Sequence, residues 1–251
     1  KALLGLGQAY ENQIIQDQAR LEFVNWFPKN EFFNNKLIKS PDIKNDLLMN
    51  TVEHYQSILA LLTPSNTTAM VHYRLGEIQS KIIRDYEGSL FSYKSALDAN
   101  PNAKLRKLIK SRIGELNLLS GDYEQAKEYF RIKNNQNIVD DNTIHYINSL
   151  LYDKDIETPL SFLDTVITSI KPTHHFFNDI LEVHDLIINY YSYGTRDDKV
   201  AFKEFFSSEG LIRQYKIPEA IVSLKEISDK YPDALITPLS KLRLAILFVE
   251  F

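Results

Sequence analysis

Apolar residues recur at intervals of three and four along almost the whole chain, and the alternation expected of half-buried strands is nearly absent. Between the periodic stretches stand short polar breaks that carry helix punctuation. Pro41-Asp42 opens one helix, and Thr63-Pro64-Ser65-Asn66 closes it and caps the next. Asn100-Pro101-Asn102, Ser120-Gly121-Asp122, Lys171-Pro172-Thr173, Gly194-Thr195 and Tyr231-Pro232-Asp233 repeat that role. The pattern predicts an all-α chain of roughly twelve helices joined by short loops.

Two stretches share more than periodicity. One runs Tyr73-Arg74-Leu75-Gly76 to Asp85-Tyr86, then Ser89, Tyr93, Ala96 and Pro101; the other runs Arg112-Ile113-Gly114 to Gly121-Asp122-Tyr123, then Ala126 and Phe130. Gly76 and Gly114 stand 38 residues apart, and Ser89 and Ala126 stand 37 apart. Small residues on one helix let a second approach closely, an aromatic four positions on fills the space beside them, and proline ends the helix. These residues resemble the tetratricopeptide repeat, a helix–turn–helix unit of about 34 residues.

The resemblance is clearest over 69–101 and 107–133. It is weaker at Leu6-Gly7 with Tyr10, and over 201–232, where Ala220, Leu224, Ile227 and Pro232 keep the second-helix spacing. It fades over 140–200, where small residues of the Gly114 type are missing. The resemblance implies one continuous right-handed solenoid of helical hairpins over 1–251, irregular in its middle.

In that family the first helices of successive repeats line a concave groove that takes peptide or protein partners. The carry-over assigns Met70, Tyr73, Glu77 and Lys81 from one repeat, and Leu108, Ser111, Arg112, Glu115 and Leu118 from the next. The family's clamp for a chaperone's C-terminal carboxylate is not reproduced: Tyr73 and Glu77 occupy its first pair, Arg112 its second position, and no basic residue stands in the two turns after His145. The resemblance thus points to a non-catalytic interaction scaffold. Two alternatives accompany it: an accessory helical domain of a larger enzyme or sensor, and a part of a bacterial envelope assembly or secretion complex. The Tyr231-Pro232-Asp233-Ala234 turn, similar to tetratricopeptide proteins of the envelope, carries the second of these and any lean toward a periplasmic setting.

Composition narrows the chemistry. The 251 residues are 44% hydrophobic and 25% charged, with only 8 Gly and 9 Pro, as in an ordinary folded domain. A net charge of −4 does not favour nucleic acid. Zero Cys excludes disulfides, thiolate metal sites and a cysteine nucleophile. No apolar run approaches the ~18 residues a membrane span needs. The chain begins at Lys1 and stops within an apolar helical stretch, Leu239 to Phe251, so it reads as an excerpt of a longer protein.

Candidate chemistry is sparse. His174, His175 and His184 lie near Asp179 and Glu182, but without the spacing of a helical metal site, so no metal or cofactor is expected. Phosphate-loop and nucleophile-elbow motifs are absent. Asp140-Asp141 and Asp197-Asp198 suit helix starts, where carboxylates favour the positive end of the dipole. Lys104, Arg106, Lys107, Lys110 and Arg112 read as a solvated face or, alternatively, as a seat for an anionic peptide or a phosphate-bearing partner. The aromatic clusters Phe23-Trp26-Phe27, Phe32-Phe33 and Tyr190-Tyr191-Tyr193 are candidate surfaces for a partner or, equally, for flanking repeats.

Overall fold

The computed structural model describes residues 5, 7, 9, 20–22, 30, 36–38, 45–130 and 139–250. A three-residue antiparallel ribbon pairs β1 (Arg20–Glu22) with β2 (Lys36–Ile38) in the register Arg20↔Ile38, Leu21↔Leu37, Glu22↔Lys36. Everything else with regular structure among the described residues is helical. The helices are α1 (Asn45–Leu61), α2 (Asn66–Ile78), α3 (Tyr86–Asp98), α4 (Ala103–Ser120), α5 (Tyr123–Phe130) and α6 (Asp141–Tyr152). Then come α7 (Glu157–Ile167), α8 (Phe177–Ile187), α9 (Arg196–Arg213), α10 (Ile217–Lys230) and α11 (Thr237–Glu250). None of them is long and apolar enough to cross a membrane.

The breaks act as the sequence indicates. Ser65 caps α2 by accepting from Thr68 N–H, and Asn102 accepts from Leu105 N–H at the start of α4. Asp122 does the same for Gln125 N–H, next to Gly121 at φ +83°, a left-handed conformation that favours glycine. Asp140 with Thr143, and Thr195 with Asp198, form reciprocal capping boxes. Pro41-Asp42 lies outside the described residues, as do Leu6, Tyr10 and the Phe23-Trp26-Phe27 and Phe32-Phe33 clusters.

Two features were not legible beforehand. Five-residue π-helical turns extend α2 (Gln79–Ile83) and α8 (Ile188–Ser192). Such turns carry one residue more than an α-turn and rotate the side chains that follow them.

Sequence reading expects one continuous domain, whereas the packing gathers into two compact units. The first takes in the ribbon and residues 45–116, and the second takes in Asn30 with residues 117–250, so the division falls within α4. In the first unit, α1 packs on α2 through Tyr55, Ile58, Val71, Ile78 and Ile82. The α2–α3 pair is the closest in this unit, and its reason is local. A Cβ at Gly76 would stand 2.6 Å from Cε1 of Tyr93, so only glycine admits the ring at that depth. Ser89, four residues before Tyr93, is fully buried and donates to the Gly76 carbonyl at 2.8 Å. Gly7 repeats the device, with the Tyr55 ring 2.6 Å from its virtual Cβ.

In the second unit α5 packs on α6, with Tyr123 against Tyr152 and Phe130 against His145. Helix α6 then meets α9, three helices further on, past the intervening α7–α8 pair. Gly210 makes that approach possible: its virtual Cβ would stand 2.4 Å from the Tyr123 hydroxyl and 3.0 Å from Tyr152 Cβ. Helices α9, α10 and α11 follow in neighbour order. The core here is built from Phe202, Phe205, Phe206, Leu224 and Ile236, together with a fully buried Glu209–Arg243 pair. The additional α6–α9 contact brackets the stretch where the repeat spacing fades.

Candidate functional site

Tyr73, Glu77 and Lys81 recur every four residues along α2 and its π-helical turn, which keeps them on one side of the helix. Arg112 and Glu115 are three apart on α4. The fold brings these five side chains together. Arg112 Nη1 donates to Glu115 Oε2 at 2.6 Å, and its Nε lies 3.2 Å from Glu77 Oε1, at ion-pair distance between the two helices. Lys81 donates to Glu77 Oε2 one turn back along its own helix. Tyr93 reaches in from α3 and donates its hydroxyl to Glu77 Oε1 at 2.6 Å.

Electrostatics follow from that geometry. Burial alone would weaken the Arg112 cation, but Glu115 and Glu77 outweigh it and hold the guanidinium protonated. Burial and then Glu77 push the Tyr93 phenol well above its ordinary range. Tyr73 rises for the same two reasons, partly opposed by a hydrogen bond with Arg112. Both phenols therefore stay neutral at physiological pH, and the two tyrosine rings pack at 5.9 Å. Two carboxylates and two cations neutralise one another, leaving a polar strip without net charge.

Reading the sequence treats Tyr93 as a filler of helix–helix space, and its hydroxyl goes unnoticed. The residue type is the signal. A buried tyrosine, unlike phenylalanine, needs a partner for its O–H, and an acid one helix away supplies it.

The remaining groove candidates divide. Met70 and Ser111 are half-buried, while Leu108 stays 39% exposed beside Ser111 and Arg112 on α4. Leu118 does not belong with them. It is fully buried and lies in the second unit, so it is a core residue and offers nothing to a partner. Its place one turn beyond Glu115 fits the stripe, but α4 changes surroundings between Leu116 and Asn117.

Elsewhere, the histidines have structural partners. His174 and His175 stack on each other and precede α8, so His175 does not share a helix face with Asp179 as its spacing suggests. His184 Nε2 pairs with Asp164 at 2.8 Å, and Asn30 donates to Glu182 and to the Asp179 carbonyl. Among the described residues no group of three or more potential ligands could hold a metal ion. Lys104, Arg106, Lys107 and Lys110 are exposed on α4. Of the tyrosine cluster, Tyr193 is exposed, Tyr190 half-buried and Tyr191 buried.

No family model, curated protein or solved structure matches the chain.

Proposed function

We propose that this chain is a non-catalytic scaffold of tetratricopeptide-like helical hairpins that holds a peptide or protein partner on the face shared by α2 and α4. One observation carries the reading. The Arg112–Glu77 contact joins the first helices of the two clearest repeat-like stretches, which is where such repeats line their groove. Around that contact lie the half-buried Met70 and Tyr73 and the partly exposed Leu108, apolar anchors of the kind a partner covers.

The ion pairs refine the mechanism. Since Glu77, Arg112, Glu115 and Lys81 are already engaged with one another, they fix the spacing of α2 and α4 more than they await a ligand. Affinity then comes from shape-matched burial of apolar side chains, with the partly exposed Lys81–Glu77 pair at the rim. Partly exposed ion pairs of this kind contribute about 1 kcal/mol or less each.

The test pairs the intact chain with a Lys81→Glu/Leu108→Asp variant in affinity purification from cells of the source organism. Both positions are exposed, so the variant keeps its helix content by circular dichroism. A partner recovered with the native chain and lost with the variant supports the scaffold and its face. A partner retained by the variant moves the site off α2 and α4.

A further inference from the structure

The first two turns of α9 carry Arg196, Lys199, Val200 and Lys203, spaced so that all four fall on one stripe of the helix. They line an open cleft of about 430 Å3 with Tyr191 and Gly194 from the turn that precedes them. The Tyr191 ring is buried and braced by Phe202 at 5.7 Å. Lys199 Nζ stands 5.4 Å from its centroid and Lys203 Nζ 5.7 Å, so the two ammonium groups converge on a single ring.

This convergence is costly as it stands. Like charges four apart on a helix repel, and cations near a helix N-terminus oppose its dipole. Among the described residues no carboxylate lies within ion-pair distance of Arg196, Lys199 or Lys203. Of the acids nearby, Asp198 accepts from Thr195 N–H, Thr195 Oγ1 and Leu235 N–H, Glu157 meets the Tyr191 hydroxyl and Asp155 accepts from Thr158 N–H. Asp197 is exposed on α9 and pairs with none of the three cations. The Tyr191 phenol is pushed up to about 12 by burial and by Glu157, so it brings no negative charge of its own at neutral pH. Two cation–π contacts to one ring do not offset three cations that lack a carboxylate partner.

We propose that this cleft binds a small organic phosphate monoester, its dianionic head against Arg196, Lys199 and Lys203 and its body against Val200 and Tyr191. A phosphate matches three cations better than a carboxylate does, with nearly twice the charge and one more acceptor oxygen. The cleft is also larger than a bare phosphate and falls in the range of small-ligand sites, so an apolar or aromatic body fills the remainder. The site lies wholly in the second unit and does not depend on the partner face of α2 and α4.

Phenyl phosphate is the probe, titrated into the intact chain while thermal unfolding and amide chemical shifts are followed. Inorganic phosphate and sodium sulfate at equal ionic strength run beside it. A saturable rise in Tm below about 10 mM phenyl phosphate is expected, larger than either inorganic anion gives, with shift changes centred on 191–203. Lys199→Gln/Lys203→Gln is expected to unfold no earlier than the native chain without ligand, and to bind at least about tenfold more weakly. Arg196→Gln, at an exposed position, serves as the second variant and weakens binding in the same direction. No rise beyond the sulfate control overturns the proposal, as does an undiminished rise in the variants. An equal response to inorganic phosphate overturns the assignment to an ester.

Discussion

At the residue scale, tyrosines set against glycines organise this protein. Gly76 faces Tyr93, Gly7 faces Tyr55, and Gly210 faces Tyr123 and Tyr152. In each case the missing Cβ makes room for an aromatic side chain that also brings a hydroxyl. Tyr93 is only 1% exposed, so it has nowhere to swing if Gly76 acquires a methyl group. Gly76→Ala is therefore expected to destabilise by about 1–3 kcal/mol, since overpacking here outweighs the gain in helix propensity. Urea unfolding measures it, and adding Tyr93→Leu to the same chain should recover part of the loss. The Gly76 and Tyr93 spacing is visible in the sequence, and so is the reason for it. The hydrogen bond from Tyr93 to Glu77 is not, because nothing local fixes which acid the ring tip will reach.

At the element scale, caps and turns decide where helices begin. Asp198 shows how much one side chain can hold. It closes the capping box with Thr195 and also accepts from Leu235 N–H, which ties the start of α9 to the turn before α11. Burial opposes its ionisation, but the hydrogen bonds from Leu235 and Thr195 prevail and keep its carboxyl below the ordinary carboxylate value. A depressed folded-state pKa contributes stability above the unfolded-state value, and that stability is lost as pH falls through the folded one. Tm should accordingly drop as pH goes below about 4, and Asp198→Asn should flatten that part of the profile. The substitution should cost about 1.5–3 kcal/mol at neutral pH, since the amide offers one acceptor oxygen where the charged carboxylate uses two. Capping residues were readable from the chain because they act within three residues. The π-helical turns after Ile78 and Ile187 were not, since each lies in the last turn of its helix, where too few apolar positions follow to reveal the shifted phase.

At the scale of the molecule, long-range contacts take over. Glu209 and Arg243 are each 1% exposed and meet in two hydrogen bonds, Nε to Oε1 at 2.7 Å and Nη2 to Oε2 at 2.9 Å. Removing one partner strands a buried charge, so Glu209→Ala should cost about 3–5 kcal/mol by chemical denaturation. A Glu209→Leu/Arg243→Met pair should restore most of it, because a well-packed apolar replacement carries no desolvation penalty. If the double variant remains as unstable as the single one, the pair contributes more than mutual neutralisation. Nothing in the sequence marks Glu209 and Arg243 as partners, since 34 residues and a whole helix separate them. The same holds for Leu118, which fits a surface stripe and is core. The helical class, the helix starts and the Gly–Tyr approach on α2 and α3 were set by the sequence itself, through periodicity, capping and side-chain size acting over a few residues. The division within α4, the meeting of α6 with α9 and the convergence of two ammonium groups on Tyr191 were decided by tertiary structure. They depend on which faces are buried together, and short-range pattern carries no information about that.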